Sequence, residues 1–190
     1  TGATATTRGR ITRFEYDAGG HKTHEYRIDA AGASQLYRRY TYDADGRLLS
    51  EVDALGLTVA SYGYDGEGHQ TSVTVPGSAG ESVATQTKYD LLGRAVETID
   101  PAGLHRTTAY DLRDRPVTVT EAPGAPLARV TEYAYDLAGR QTEVRQYAAS
   151  DSAQVFTTTY TYDLLGRRTA IGGNHADPLS YTYDAGGRLA

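Results

Sequence analysis

The chain of 190 residues contains no cysteine, no methionine and no tryptophan, and it has only two phenylalanines. Without cysteine it has no disulfide, and no thiolate to serve as a metal ligand or a nucleophile. The net charge is only −5, so the positive charge typical of proteins that bind nucleic acids is missing. No apolar run approaches the roughly 20 residues of a transmembrane helix. We therefore expect no nucleic-acid partner and no membrane span.

Tyrosine and glycine are abundant instead, with 16 and 21 copies, and the tyrosines follow a pattern. The dipeptide Tyr-Asp recurs at intervals of 21 to 27 residues, which is typical of repeat architectures. Its eight copies begin at Tyr16, Tyr42, Tyr64, Tyr89, Tyr110, Tyr135, Tyr162 and Tyr183. We interpret residues 1–190 as one array of eight repeats. Because methionine is absent and the last copy, "YDAGGRLA", stops within the pattern, we expect a fragment of a longer protein.

Alignment of the copies gives the unit Tyr-Asp-x-x-Gly-Arg. Glycine follows the aspartate by three residues in seven copies, with Asp114 in the eighth, and the next residue is always Arg or His. The structural signature is clearest in three copies, which contain Tyr89, Asp90, Gly93 and Arg94; Tyr135, Asp136, Gly139 and Arg140; and Tyr162, Asp163, Gly166 and Arg167.

This spacing predicts a hairpin with a three-residue loop. The aspartate caps backbone N–H groups, the glycine supplies a positive φ angle, and the arginine faces the aspartate across the two strands. Asp114 is compatible with the same turn, because aspartate tolerates the left-handed conformation. Each signature is therefore predicted to be a hairpin tip.

A second, looser set of turn signals lies between the tips, so that a turn occurs every 10–13 residues. These back turns fall at residues 29–32, 53–56, 75–80, 100–103, 122–126, 148–153 and 172–178. Short intervening segments rich in Thr, Val and Tyr predict an all-β protein, an antiparallel β-hairpin meander of about 16 strands. Neither face of these strands is strongly apolar, so a sandwich is not expected. Because open sheets rarely exceed about 10 strands without curling, we predict a curved single-layer sheet or spiral strip.

With this unit, the chain resembles the Rhs/YD-repeat family, which includes bacterial Rhs polymorphic toxins, Tc toxin shell components and teneurins. The resemblance implies a β-hairpin strip that spirals into a hollow shell and, in bacteria, holds a toxic C-terminal domain until delivery. The partners it implies are the remaining repeats and the toxin cargo, in a secreted or surface-exposed bacterial protein. In Rhs shells "DPxGL" motifs frame an aspartyl autoprotease. We interpret the single "DPAGL" at Asp100–Leu104 as an ordinary back turn, without a catalytic role for Asp100.

No candidate site for catalysis, a cofactor or a metal emerges from the sequence. His21 and His24 are three residues apart, which places them on opposite faces of a strand, and His21 and His69 occupy the position that Arg has in other copies. His105 and His175 lie beside back turns without zinc-ligand spacing. No "GxSxG" turn or isolated pair of carboxylates suggests hydrolysis. We therefore expect no enzymatic activity.

The main hypothesis is a structural segment of a shell that encapsulates or carries a toxin domain. The alternative is a surface-exposed module for carbohydrate binding or adhesion, because rows of exposed tyrosines could stack on sugar rings. An open array also has two unpaired sheet edges, which predict edge-to-edge self-association of the isolated fragment.

Overall fold

The computed structural model describes residues 11–78, 80–125, 127–174 and 177–190, and the regular elements within these ranges are all β-strands. Fifteen strands follow one another in chain order in one open antiparallel sheet. They are β1 Ile11–Tyr16, β2 Lys22–Ile28, β3 Ser34–Tyr42, β4 Leu48–Asp53, β5 Thr58–Tyr64, β6 Gln70–Pro76, β7 Ser82–Tyr89, β8 Ala95–Ile99, β9 His105–Tyr110, β10 Pro116–Glu121, β11 Arg129–Tyr135, β12 Gln141–Ala148, β13 Asp151–Tyr162, β14 Arg168–Gly173 and β15 Leu179–Ser180.

The all-β antiparallel hairpin meander predicted from the sequence is confirmed. The strands number fifteen rather than about sixteen, because the last tip is followed only by a single bridge between Tyr183 and Leu189. The predicted curling of the strip stays a prediction. Among the described residues, the structure contains no helix that could span a membrane.

The chain divides into two compact units, Thr1–Gln86 and Thr87–Ala190. The first contains β1 to β6 and most of β7, and Ala60 in β5 is its buried hydrophobic residue among those described. The second contains β8 to β15 and buries Val119, Ala128 and Val130 around the β10–β11 pair. The sheet thus has very little interior, as expected for a single layer.

Pairing of the strands slips by one residue at the tyrosine that ends a strand before a tip. Glu15, for example, pairs with His24, whereas the next residue, Tyr16, pairs with Lys22. The same slip occurs at Tyr42, Tyr64, Tyr135 and Tyr162. A three-residue loop closed by a left-handed residue produces such a bulge, so the slip follows from the predicted turn.

Three back turns are as tight as the tips, although the sequence suggested a looser set. The Asp53 N–H donates to the Leu57 carbonyl at 2.9 Å, and the Gly56 N–H donates to the Asp53 carbonyl at 3.1 Å. The turns at 29–32 and 100–103 have the same two bonds. They differ from the tips in the residue after the glycine, which is not basic.

Candidate functional site

Each tip is closed by bonds from one aspartate. In the tip at Asp163, the Asp163 N–H donates to the Arg167 carbonyl at 2.9 Å and the Gly166 N–H donates to the Asp163 carbonyl at 3.0 Å. Asp163 Oδ1 accepts the N–H groups of Leu165 and Arg167, both at 2.9 Å. Asp163 Oδ2 accepts Nε of Arg167 at 2.6 Å. The aspartate therefore caps the backbone and orients the arginine at once, as predicted.

The same geometry recurs at the other signature residues. Arg94 Nε lies 2.8 Å from Asp90 Oδ2, and Arg140 Nε lies 2.6 Å from Asp136 Oδ2. The tip glycines have positive φ angles, which are 76° at Gly93, 84° at Gly139 and 82° at Gly166. Asp114 has a φ of 61°, so its predicted left-handed conformation is confirmed.

Histidine replaces arginine in two tips of the first unit. His21 Nδ1 lies 3.1 Å from Asp17 Oδ2, and His69 Nδ1 lies 3.0 Å from Asp65 Oδ2. Both histidines thus contact the tip aspartate in the position that arginine has in other copies. Asp65, Glu67 and His69 also bring three possible metal ligands within 4.8 Å of one another. Two of them form the tip pair and Glu67 is exposed, so we assign no metal there.

Three contacts connect a tip to the next one along the chain. The guanidinium of Arg140 lies over the ring of Tyr162, with its carbon 4.8 Å from the ring centre. Arg140 Nη1 donates to the Asp163 carbonyl at 3.1 Å. In return, the Tyr162 hydroxyl donates to the Gln141 carbonyl at 2.7 Å. We call this set the inter-tip latch; it combines a cation–π contact with two hydrogen bonds.

The latch repeats along both units. Guanidinium groups also cover the next tip tyrosine in the pairs Arg47–Tyr64, Arg94–Tyr110, Arg115–Tyr135 and Arg167–Tyr183. Hydroxyls donate back to the carbonyl after the previous basic residue from Tyr42, Tyr64, Tyr110, Tyr135 and Tyr183. The signature residues therefore serve two tips each: aspartate and glycine shape their own turn, while tyrosine and the basic residue join neighbours.

Replacing Tyr135 by phenylalanine is expected to lower the free energy of unfolding by about 1 kcal/mol. The Tyr135 hydroxyl donates to the Pro116 carbonyl at 2.8 Å, and phenylalanine would keep the ring but lose this bond. Tyr133→Phe is the matched control, because the Tyr133 hydroxyl has no hydrogen-bond partner among the described residues. Urea unfolding measures both, and equal losses would contradict the role of the latch.

The tip environment lowers the pKa of all eight tip aspartates. The effect is largest at Asp111, where the hydrogen bond from the Arg115 side chain, opposed by partial burial and aided by backbone N–H groups, lowers the pKa to about 2. These aspartates are thus held in their charged form.

The array is expected to lose stability in acid between about pH 4 and pH 2. A carboxyl whose pKa is lower in the folded than in the unfolded state stabilises the fold fully above its unfolded pKa of about 4. This contribution disappears as the pH falls through the folded pKa, which is about 2 at Asp111. Urea midpoints at several pH values measure the slope, and Asp111→Asn should reduce it. A midpoint that does not change over this range would contradict the expectation.

A second set of contacts, which sequence reasoning missed, lies within the strands. Four glutamates accept hydrogen bonds from tyrosine hydroxyls, in the pairs Glu15–Tyr26, Glu25–Tyr40, Glu51–Tyr62 and Glu132–Tyr147, at 2.8–3.0 Å. In each pair the tyrosine lies two residues beyond the one directly opposite the glutamate. Burial and then the bond to Glu51 raise the pKa of Tyr62 to about 12, so this hydroxyl stays protonated.

The remaining sequence candidates lie apart from one another. His24 is 3.5 Å from Glu15, and Nε2 of His105 is 3.0 Å from Oε1 of Glu97. Asp100 forms the back turn that was predicted: its Oδ1 accepts the N–H groups of Ala102 and Leu104 at 2.9 and 2.8 Å. His175 lies outside the described residues.

A family model described as RHS Repeat matches residues 42–79 and 89–126, and each match begins at the tyrosine of a tip. A curated protein of Burkholderia cenocepacia (strain H111), named double-stranded DNA deaminase toxin A, is 29% identical to this chain over 180 residues. The alignment covers 92% of this chain and 10% of that protein. The chain thus spans about a tenth of the length of this relative.

Two solved structures are similar in fold. A crystal structure of TcdB2–TccC3–Cdc42 has a TM-score of 0.65 at 15% identity, over 96% of this chain and 11% of that one. A Tc holotoxin pore of Photorhabdus luminescens has a TM-score of 0.46 at 15% identity, over 95% and 12%. The first likeness concerns the fold alone, and the second is too low to support an argument.

Proposed function

Because this chain belongs to the Rhs/YD-repeat family, we propose that it is a structural segment of a shell that encloses or carries a toxin domain for delivery. In this role the array is a wall, and its work is mechanical rather than catalytic. Its partners are the further repeats of its parent protein and the toxin cargo. The parent protein acts outside the bacterial cell that makes it, as a secreted or surface component.

The observation that carries this proposal is the inter-tip latch. A tip arginine such as Arg140 contacts three groups, which are the carboxylate of Asp136, the ring of Tyr162 and the carbonyl of Asp163. The side chains that define the repeat therefore bind one another and hold successive hairpins at a fixed distance. A sheet with few buried residues gains stiffness from such contacts, and stiffness is what a thin wall requires.

Limited proteolysis of the full-length protein tests this proposal. If the array encloses a toxin domain, that domain should be cleaved far more slowly within the full-length protein than as an isolated fragment. Double substitution Arg140→Met and Arg167→Met removes two latches and should accelerate cleavage. Arg106→Met with Arg129→Met is the matched control, because the structure gives these two arginines no side-chain ion pair or ring contact within the described ranges.

Equal cleavage rates for the attached and the isolated domain would overturn the enclosure. Circular dichroism of the latch variant separates loss of enclosure from loss of the fold. If the variant keeps its β-sheet spectrum while its toxin domain becomes sensitive to protease, the latches are needed for enclosure rather than for the fold.

One observation favours the alternative of carbohydrate binding. A shallow cleft of about 560 Å³ is lined by the rings of Tyr162, Tyr181 and Tyr183, together with Arg168 and Leu189. Aromatic rings beside a charged side chain suit a sugar. Against this alternative, the ring of Tyr183 is already covered by Arg167, and its hydroxyl is bound to the Arg168 carbonyl. A glycan array with the wild type and Tyr181→Ala measures whether a saturable ligand exists.

The sheet edges are a separate surface for association. Within the described residues, β1 pairs only with β2, and β15 pairs only with β14. Unpaired backbone groups at such edges favour pairing with another chain. Edge-to-edge self-association of the isolated array stays a prediction.

A further inference from the structure

Six leucines project from consecutive tips of the second unit. Leu91, Leu112, Leu137 and Leu164 directly follow the tip aspartate in four successive hairpins, and each is at least 92% exposed. Leu92 and Leu165 follow two of them and are 73% and 78% exposed. We call these six residues the tip leucine row.

The row is held in place by the latches. Successive tips are separated by two strands, which corresponds to about 10 Å. Arg94 Nη1 donates to the Asp111 carbonyl at 3.0 Å, and Arg113 Nη1 donates to the Leu137 carbonyl at 2.9 Å. The leucines therefore stand on a fixed backbone, and little conformational freedom is lost when they bind a partner.

The turn itself does not require leucine. In the first unit the same position is occupied by Ala18, Ala44 and Gly66, and the same backbone bonds close those tips. Single exposed apolar residues are ordinary on protein surfaces, but a contiguous set marks an interaction site. The contacts within their own hairpins therefore do not account for the leucines.

Charge at these tips is largely neutralised within the chain. Asp90, Asp111, Asp136 and Asp163 each form an ion pair with the arginine of their own tip, and Asp114 pairs with Arg94 at 2.9 Å. Removing an apolar row from water costs less free energy when the neighbouring charges are paired than when they are isolated. This surface is complementary to another apolar row of the same kind.

We propose that the tip leucine row is an interface with a second copy of this chain, packed tip to tip about a twofold axis. Burying one leucine side chain removes on the order of 100 Å² of apolar surface from water. Six from each copy give about 1,200 Å², which reaches the lower bound of stable interfaces. The axis passes between the tips of Leu112 and Leu137, so that Leu112 faces Leu137 of the second copy and Leu91 faces Leu164.

Light scattering over a range of protein concentrations tests the interface. The wild type should form a dimer, and the quadruple variant Leu91→Ser, Leu112→Ser, Leu137→Ser and Leu164→Ser should weaken it about 100-fold or more. The control is Leu55→Ser, Leu57→Ser, Leu104→Ser and Leu127→Ser, which removes exposed leucines away from the tips and should leave the dimer intact. A monomeric wild type overturns the proposal, and so does a dimer that both variants weaken equally or that neither weakens.

Cross-linking of variants with a single cysteine tests which leucines face each other across the dimer interface. Because the chain has no cysteine, one introduced thiol is unique. An oxidised mixture of Leu112→Cys protein with tagged Leu137→Cys protein should yield mainly the mixed disulfide. Leu112→Cys alone should cross-link poorly, because the two thiols would be about one tip spacing apart, beyond the roughly 7 Å that a disulfide spans between Cα atoms. Efficient cross-linking of Leu112→Cys alone, or of Leu55→Cys, overturns the register.

Discussion

Replacing Gly173 by alanine is expected to lower the free energy of unfolding by about 2–4 kcal/mol. Gly173 ends β14 with a φ of 146°, a conformation that residues with a side chain rarely adopt. A Cβ there would lie 1.9 Å from the Thr157 carbonyl oxygen, which is backbone of the neighbouring strand β13. Because a backbone atom cannot move aside as a side chain can, the two strands would have to separate locally.

Gly172→Ala is the matched control for this substitution. Gly172 precedes Gly173 on the same strand, but its φ angle is not positive, and a Cβ would meet the Thr159 hydroxyl at 3.3 Å. A rotation of that side chain relieves the contact, so the loss should be below about 1 kcal/mol. Urea unfolding of the two variants measures the difference. Similar losses at both positions would show that the strand end adapts to a larger residue.

The pairing near Gly173 explains why the strands come so close. The Asn174 N–H donates to the Thr157 carbonyl at 3.1 Å, and the Thr157 N–H donates to Asn174 Oδ1 at 2.7 Å. Asn174 Nδ2 also donates to the Val155 carbonyl at 2.6 Å. Asparagine therefore extends the ladder with its side chain, and glycine beside it makes the approach possible.

Replacing Arg140 by methionine is expected to lower the free energy of unfolding by about 1–3 kcal/mol. Methionine keeps much of the aliphatic stem, but it loses the ion pair with Asp136, the cation–π contact with Tyr162 and the bond to the Asp163 carbonyl. The charge of Asp136 would then lack its partner. Because the Arg140–Asp136 pair is partly exposed to solvent, we expect the loss in free energy of unfolding to lie in the lower part of this range.

The control for Arg140→Met is Arg129→Met, which removes an exposed arginine that has no ion pair or ring contact within the described ranges. Its substitution should change the free energy of unfolding by less than about 0.5 kcal/mol. A double-mutant cycle of Arg140→Met with Tyr162→Leu then isolates the contact across the two tips, for which we expect a coupling of at least about 0.5 kcal/mol. Additive effects would mean that the arginine acts within its own tip alone.

The tips could be predicted fully from the sequence because all their determinants are local. Aspartate, the left-handed residue and the basic residue lie within five positions, as in Asp90–Arg94, and the geometry of one turn defines their contacts. Asp114 follows the same local rules, because it has the predicted left-handed conformation although it stands in place of glycine. The interpretation of Asp100 as a back-turn residue rested on the same local rules.

The contacts between tips could not be predicted in detail, because they depend on the register of strands about 20 residues apart. The sequence shows that both Arg140 and Tyr162 are present, but only the pairing of β12 with β13 places the cation over the ring. The Glu51–Tyr62 contact has the same origin, since a shift of one residue would place the two side chains on opposite faces. Tyrosine rows were expected, whereas their hydrogen-bond partners were not.

The latch also has a consequence for how such a gene changes in length. Arg140 contacts the ring of Tyr162 in the following hairpin in the same way as Arg115 contacts the ring of Tyr135. If a stretch from one tip tyrosine to the next is duplicated or deleted, the hairpins that become neighbours would therefore form the same latch. Recombination can lengthen or shorten the strip by whole hairpins, and no new contacts between neighbouring hairpins have to evolve each time.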